Sequence, residues 1–169
     1  LIEWFKDGKP TAVGAATGAV AGLVGITPAA GFVYMGPSLI IGAVTAACCF
    51  IAVQIKAKIK FDDSLDTFMV HGVGGTVGAL LTGLFAVSAL VPADYFPVSA
   101  ELMSKGGNAA LFGAQVKAVL ITYGFVGLGT AIILWIVGAV VGLRVTPEEE
   151  ERGLDFVAHG EEAYDPMTY

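Results

Sequence analysis

The sequence predicts an all-α protein that crosses a membrane four times. Three observations carry that expectation. Apolar residues fill 56% of the 169 positions and charged residues 14%, with a mean hydropathy of +0.77, which is a membrane composition. Four apolar runs each pass the roughly 18 residues that a spanning helix needs. Within these runs glycines recur at four-residue spacing, as in helices whose backbones approach closely. The spans are expected at about 11–33, 37–55, 65–90 and 111–143. Residues 1–144 then form a transmembrane part and 145–169 a tail.

The opening, L-I-E-W-F-K-D-G-K, reads as the end of an earlier helix and a polar turn. It lacks the pattern of a secretory leader, so a piece of a longer chain is expected. In the first span Gly14, Gly18 and Gly22 share one face suited to close contact. That span should stop near Thr27-Pro28, since the residue before a proline resists helix. Ala29 to Pro37, with Gly31 and Gly36, is a compact connection. In the second span the adjacent Cys48 and Cys49 fit neither a C-x-x-C metal motif nor a disulfide framework. They read as small packing residues.

The third span is the informative one. Asp62, Asp63 and Asp66 stand at its entrance, and the run from there to Leu90 carries no formal charge. It holds His71, followed by Gly72, Gly74, Gly75 and Gly78. An ionisable group inside a span is a functional hypothesis by default. The alternative is an imidazole that bonds a neighbouring carbonyl and joins helices. Composition alone weighs the two evenly. The glycines favour function: Gly74 and Gly78 form a G-x-x-x-G, and Gly72 removes bulk beside the ring, so a close neighbour can hold it in place. Thr67 lies four residues earlier on the same face. Together they read as the wall of a narrow path.

The fourth run has roughly 33 residues at about 1.5 Å each, longer than a hydrocarbon core of about 30 Å. It must tilt, bend or protrude. Lys117 near its start reads as an interfacial anchor. Lys6, Lys9, Lys56, Lys58, Lys60, Arg144 and Arg152 fall on one side of the membrane, Lys105 and Lys117 on the other. The first side is expected to be cytoplasmic, with the tail and the Asp62–Asp66 cluster. The connection 91–110, holding Pro92, Pro97, Gly106 and Gly107, is then external.

From Arg144 onward, two arginines and eight carboxylates account for the whole net charge of −6. The seven lysines and seven carboxylates before it cancel. No basic surface interleaved with aromatics points to nucleic acid. In the tail, Pro147 followed by Glu148 to Glu151 suits the first turn of a short helix. Leu154, Phe156 and Val157 give it something to dock with. The alternative is a solvated, mobile acidic tail.

Three strings carry a family resemblance. D-D-S-L-D-T-F-M-V-H-G-V-G-G resembles the penultimate membrane helix of the Amt/Mep/Rh ammonium transporters. G-A-A-T-G-A-V-A-G-L-V-G-I-T-P-A-A-G resembles the matching earlier helix. G-L-R-V-T-P-E-E-E-E-R-G-L-D-F-V-A-H-G-E-E-A-Y resembles the cytoplasmic tail of the Amt branch. The resemblance runs from Gly8 to Tyr164. It implies four spans of an eleven-helix bundle, most of the second half of an inverted repeat plus the terminal helix. It also implies a homotrimer with one pore per subunit, His71 being the second of two pore histidines. Thr67 stands where an apolar residue is expected, implying a wetter lower pore. Asp66, Gly72, Gly74, Gly75 and Gly78 would shape the entrance and packing of the pore helix. Arg144, Gly153, Asp155, His159, Gly160 and Tyr164 would couple the tail to the pore, His159 in a structural role. A trimeric PII-type signalling protein is the implied cytoplasmic partner. Val157 replaces the phosphorylatable threonine of plant members, which implies that this control is absent.

Stripping water from a small cation is costly unless ligands replace it. Loss of a proton leaves a cheaper neutral species, and a neutral imidazole accepts at one nitrogen while donating at the other. The expected function is therefore ammonium or ammonia transport through a histidine-containing apolar pore in a cytoplasmic or plasma membrane. The runner-up is an ammonium sensor that keeps the fold and signals through a cytoplasmic partner. A third reading is a structural fragment without activity of its own. No enzyme or cofactor is expected. No serine has the context of a nucleophile, and no cluster of metal ligands appears.

Overall fold

A computed structural model describes residues 1–59, 62–90 and 106–161. Lys60, the connection 91–105 with Pro92, Pro97 and Lys105, and Tyr164 lie outside the described residues. The described chain is helical without strands, and four helical stretches are long and apolar enough to cross a membrane: Ala12–Ala29, Met35–Ile59, Phe68–Phe85 and Ala109–Val140. It divides into two compact units, Leu1–Ile121 and a second beginning at Thr122.

In the first unit a short helix, α1 (Ile2–Asp7), precedes α2 (Ala12–Ile26). Thr11 caps α2 by accepting the Gly14 N–H at 2.9 Å. Glu3 of α1 in turn accepts the Thr11 N–H at 3.1 Å and its hydroxyl at 2.9 Å, so the two helices share one cap. The α-helix ends at Ile26, where Thr27-Pro28 is expected to stop it. Thr27 stays right-handed and helical (φ −53°, ψ −50°), and the end tightens into a 3-10 turn, Thr27–Ala29. The Thr27 hydroxyl donates to the Leu23 carbonyl at 2.7 Å.

Helix α3 (Met35–Ile59) begins two residues before Pro37, which sits in the first turn where no N–H is needed. It ends with Lys56 and Lys58 in its last turn, against the negative end of the dipole. A π-turn (Phe68–Gly72) then opens into α4 (Val73–Phe85). Beyond α4 the Val87 N–H donates to the Phe32 carbonyl at 2.7 Å, tying the end of α4 to the connection after α2. Asn108 caps α5 (Ala109–Val140), accepting from Ala110 at 2.9 Å and Leu111 at 3.0 Å.

Helices α2, α3 and α4 meet along a seam of small residues. A Cβ on Gly78 would land on the Gly25 carbonyl, so the two backbones touch without side chains between them. Gly22 and Gly42 face each other the same way, and Gly74 fits between Cys49, Val24 and Thr45. Ala21, Cys49 and Val70 form the buried cluster beside this seam, with Val24 and Ala46 packed on it. The expected Gly14–Gly18–Gly22 face divides. Gly14 receives the Glu3 carboxylate, Gly18 meets nothing within 4 Å among the described residues, and Gly22 with Gly25 makes the helix contact.

In the second unit α5 continues to Val140, and Gly142 turns the chain in the left-handed region at φ 82°. Two short helices follow, α6 (Pro147–Arg152) and α7 (Leu154–His159), separated by Gly153 and closed by Gly160.

Candidate functional site

The site is built on the turn that begins the third span. The Asp63 carboxylate forks over two successive N–H groups, those of Thr67 and Phe68, each at 2.9 Å. These would otherwise be orphan donors at the helix start. The Asp66 N–H returns to the Asp63 carbonyl at 3.1 Å, and Asp66 itself adopts φ 54°. Such a left-handed residue is uncommon outside glycine, with Asp among the better tolerated. Its carboxylate pairs with Lys56, and Lys56 also donates to the Asp63 carbonyl at 2.6 Å. The last turn of α3 and the entrance of the next span are thereby tied at one point. With side chains 15% and 29% exposed, Lys56 and Asp66 are screened far less by water than a surface pair.

Past this entrance the helix widens by one residue. The Val73 N–H reaches back five residues to the Phe68 carbonyl, and His71 sits inside that π-turn. Single π-turns inside helices cluster at functional sites. Thr67 and His71 are both exposed on this chain, while Met69 and Val70 between them are buried. Both polar side chains are therefore open on this chain. The Cys49 thiol, on α3, donates to the Val70 carbonyl at 3.6 Å, and the Thr76 hydroxyl donates to the Gly72 carbonyl at 2.7 Å.

The glycines do different jobs. Gly74 and Gly78 lie in the seam, Gly72 lies under the Phe68 ring, and Gly75 meets nothing within 4 Å among the described residues. Sequence reasoning missed Lys56 and treated Cys49 as packing alone. The signal for Lys56 was a basic last turn shortly before an acidic entrance. No local signal marks Cys49. Among the described residues no group of three metal-ligating side chains converges.

In the second unit Thr146 caps α6 with a capping box. Its hydroxyl accepts the Glu149 N–H at 3.3 Å, and the Glu149 carboxylate accepts the Thr146 N–H at 2.8 Å. The Thr146 backbone bond, reinforced by its hydroxyl, holds the Glu149 carboxyl below the usual range. Arg144 pairs with Glu150 at 3.1 Å. Gly153 (φ 89°) and Gly160 (φ 69°) mark the turns on either side of α7, and the Arg152 guanidinium lies over the Phe156 ring at 5.4 Å. Asp155 and His159 are exposed.

The sequence profile described as "Ammonium Transporter Family" matches residues 1–164. An ammonium transporter of Bacillus subtilis is 47% identical over 165 residues, which are 97% of this chain and 39% of that protein. The crystal structure of Saccharomyces cerevisiae Mep2 superposes with a TM-score of 0.76 at 37% identity, over 99% of this chain and 38% of its own. A structure titled "Sensor Amt Protein" gives a TM-score of 0.74 at 31% identity, over 95% and 37%. The chain thus spans about two fifths of the length of the proteins it matches.

Proposed function

We propose a function that proceeds from one premise: this chain belongs to the ammonium transporter family. It is the C-terminal part of a membrane protein that conducts ammonium or ammonia past His71. The observation that carries this is an imidazole exposed on a π-turn, with Thr67 beside it, while the opposite face of the same helix is sealed on glycines. Helices outside this chain wall the exposed side and supply a second histidine. The His71 ring then offers a donor and an acceptor along a path that is otherwise apolar.

Three such subunits form a homotrimer that serves nitrogen uptake. Residues 1–144 hold the spans, and the tail from Val145 lies in the cytoplasm, as the lysine bias of the loops supports. Residues Val145 to Tyr164 dock on the cytoplasmic face, partly against a neighbouring subunit. There Arg144, Gly153, Asp155, His159, Gly160 and Tyr164 couple the tail to the pores, and a PII-type protein is the partner. Truncation after Leu143 should change transport. An unchanged rate, with fast amide exchange around Gly153 to Gly160, would reduce the tail to a solvated appendage.

The test of the pore is His71→Ala in the full-length protein, read as ammonium current in proteoliposomes. Selective conduction should fall while assembly persists. Parent-like current and ammonium-over-potassium selectivity would sink the role. The likeness to a structure titled as a sensor favours a second reading, in which the same site reports occupancy to a cytoplasmic partner. Ligand-dependent partner binding in a variant that no longer conducts would favour it.

A further inference from the structure

We propose that the π-turn at Phe68–Gly72 is a positioning device for His71. Cys49 and Thr76 hold the two carbonyls that flank the imidazole, and the Lys56–Asp66 ion pair fixes the entrance. The inference rests on the pore role of His71 proposed above.

A π-turn adds one residue to a helical turn, so it rotates the residues downstream of it and disturbs the regular carbonyl partners. Val70 and Gly72 carry the carbonyls on either side of His71. Each has a side-chain donor: the Cys49 thiol at 3.6 Å and the Thr76 hydroxyl at 2.7 Å. Cys49 is 2% exposed and belongs to α3, so its bond ties the turn to a neighbouring helix. Thr76 secures the turn from α4 itself. On the entrance side, Asp63 holds the Thr67 and Phe68 N–H groups, and Lys56 clamps both Asp63 and Asp66. These ties land on the backbone or on the entrance carboxylates. The His71 ring stays exposed while the peptide units around it are fixed. Register here matters because one residue of slip would turn the imidazole away from its path. Cys49, Thr76, Lys56 and Asp66 are therefore positioning residues, acting through His71.

The experiment uses the full-length protein in liposomes with two readouts. One is the rate of His71 modification by diethylpyrocarbonate, followed by mass spectrometry. The other is the ammonium-over-potassium current ratio. Thr76→Val removes the hydroxyl at similar volume, and Thr76→Ser restores it. The valine variant should alter the modification rate and lower the current ratio about fivefold, the scale of one hydrogen bond. The serine variant should return both to parent values, and Lys56→Met should move both as valine does. Parent-like behaviour in Thr76→Val and Lys56→Met overturns the proposal. Equal shifts in the valine and serine variants also overturn it, since packing rather than the hydrogen bond would then be responsible. If His71→Ala keeps the current ratio, the pore role falls, and the modification rates alone still judge the positioning. If Lys56→Met does not assemble, the Thr76 pair decides by the same criteria.

Discussion

Helix α3 and helix α5 are equally apolar, with mean hydropathies of 2.2 and 2.1 over their spanning windows. Among the described residues they are used differently: α3 packs along its length, and α5 meets α4 only in its first turns, where a Cβ on Gly83 would meet the Phe112 backbone. Helix α3 buries Ile41, Thr45 and Cys49, the last two against Gly25 of α2 and Gly74 of α4. In α5 the one buried residue is Leu111 in the first turn, and bulky residues beyond it, such as Phe125 at 80% and Trp135 at 76%, stand open. Hydrophobicity therefore says that a segment can enter a bilayer, where apolar tails are as good a solvent as leucine. It does not say that the segment touches another helix. Contact comes from small residues at the right spacing, which let dispersion forces and backbone proximity act.

The strongest way to break this contrast is to insert the same side chain in both regions. Gly78→Val should destabilise the protein by about 3 kcal/mol or more, because its Cβ meets the Gly25 backbone, which cannot yield as a flexible side chain can. Gly124→Val in α5 has nothing within 4 Å to meet among the described residues and should leave stability unchanged. Thermal unfolding in detergent, followed by size-exclusion chromatography, reads both. Equal losses would end the distinction. A second comparison sharpens it at the helix heads. Asp63→Ala and Asn108→Ala each remove a side chain that accepts two N–H groups, a loss of about 1 kcal/mol from the cap itself. Asp63→Ala should show the larger loss, since its cap sits in the entrance network with Lys56 and Asp66. Equal unfolding midpoints for the two would mean that the ion pair adds nothing to the cap.

The tail should give the smallest effect. Thr146→Ala opens the capping box and should raise amide exchange within Glu148 to Arg152 without moving the unfolding midpoint. Acid should do the same to the parent. The Glu149 carboxyl is lowered in the folded state, so its contribution is complete above the ordinary carboxylate range and disappears as the pH falls through the folded value. Protection factors in α6 that stay constant as the pH falls from the ordinary carboxylate range through the folded value would show that the carboxylate bond is not made in solution.

Much of the fold was legible because length and hydropathy suffice for a span, and Pro147 before four glutamates is a start signal in itself. The seam was half legible. Gly74 and Gly78 mark a contact face, but which of the four-spaced glycines of α2 would meet a partner depends on crossing geometry, and the contact settled on Gly22 and Gly25. The candidate site offered a residue type in the sequence and a shape only in the structure. His71 is visible in any hydropathy scan. The π-turn around it is bordered by a carboxylate fork, a thiol on another helix and an ion pair, none of which has a period. Spacing placed Thr67 and His71 on one face of a regular helix; the wider turn keeps both exposed by a different rotation. The stop at Thr27-Pro28 was legible, since α2 ends at Ile26, but the 3-10 turn that continues the chain through Ala29 was not.

The latch at the entrance also has a consequence in time. Lys56 reaches Asp63 across seven residues, whereas Cys49 meets Val70 across twenty-one and the Gly25–Gly78 contact closes a stretch well over twice as long. Short loops close in about 10–100 ns, and closure slows as the intervening chain grows. Counted along the chain, the end of α3 and the entrance of α4 are thus far closer partners than the two backbones that meet at Gly25 and Gly78. The Gly22–Gly42 part of the seam lies between α2 and α3 and is complete in sequence before α4 is made. The Lys56 latch then closes the short loop that brings the third span to that pair, and the Gly25–Gly78 contact sets how tightly the three helices are drawn together.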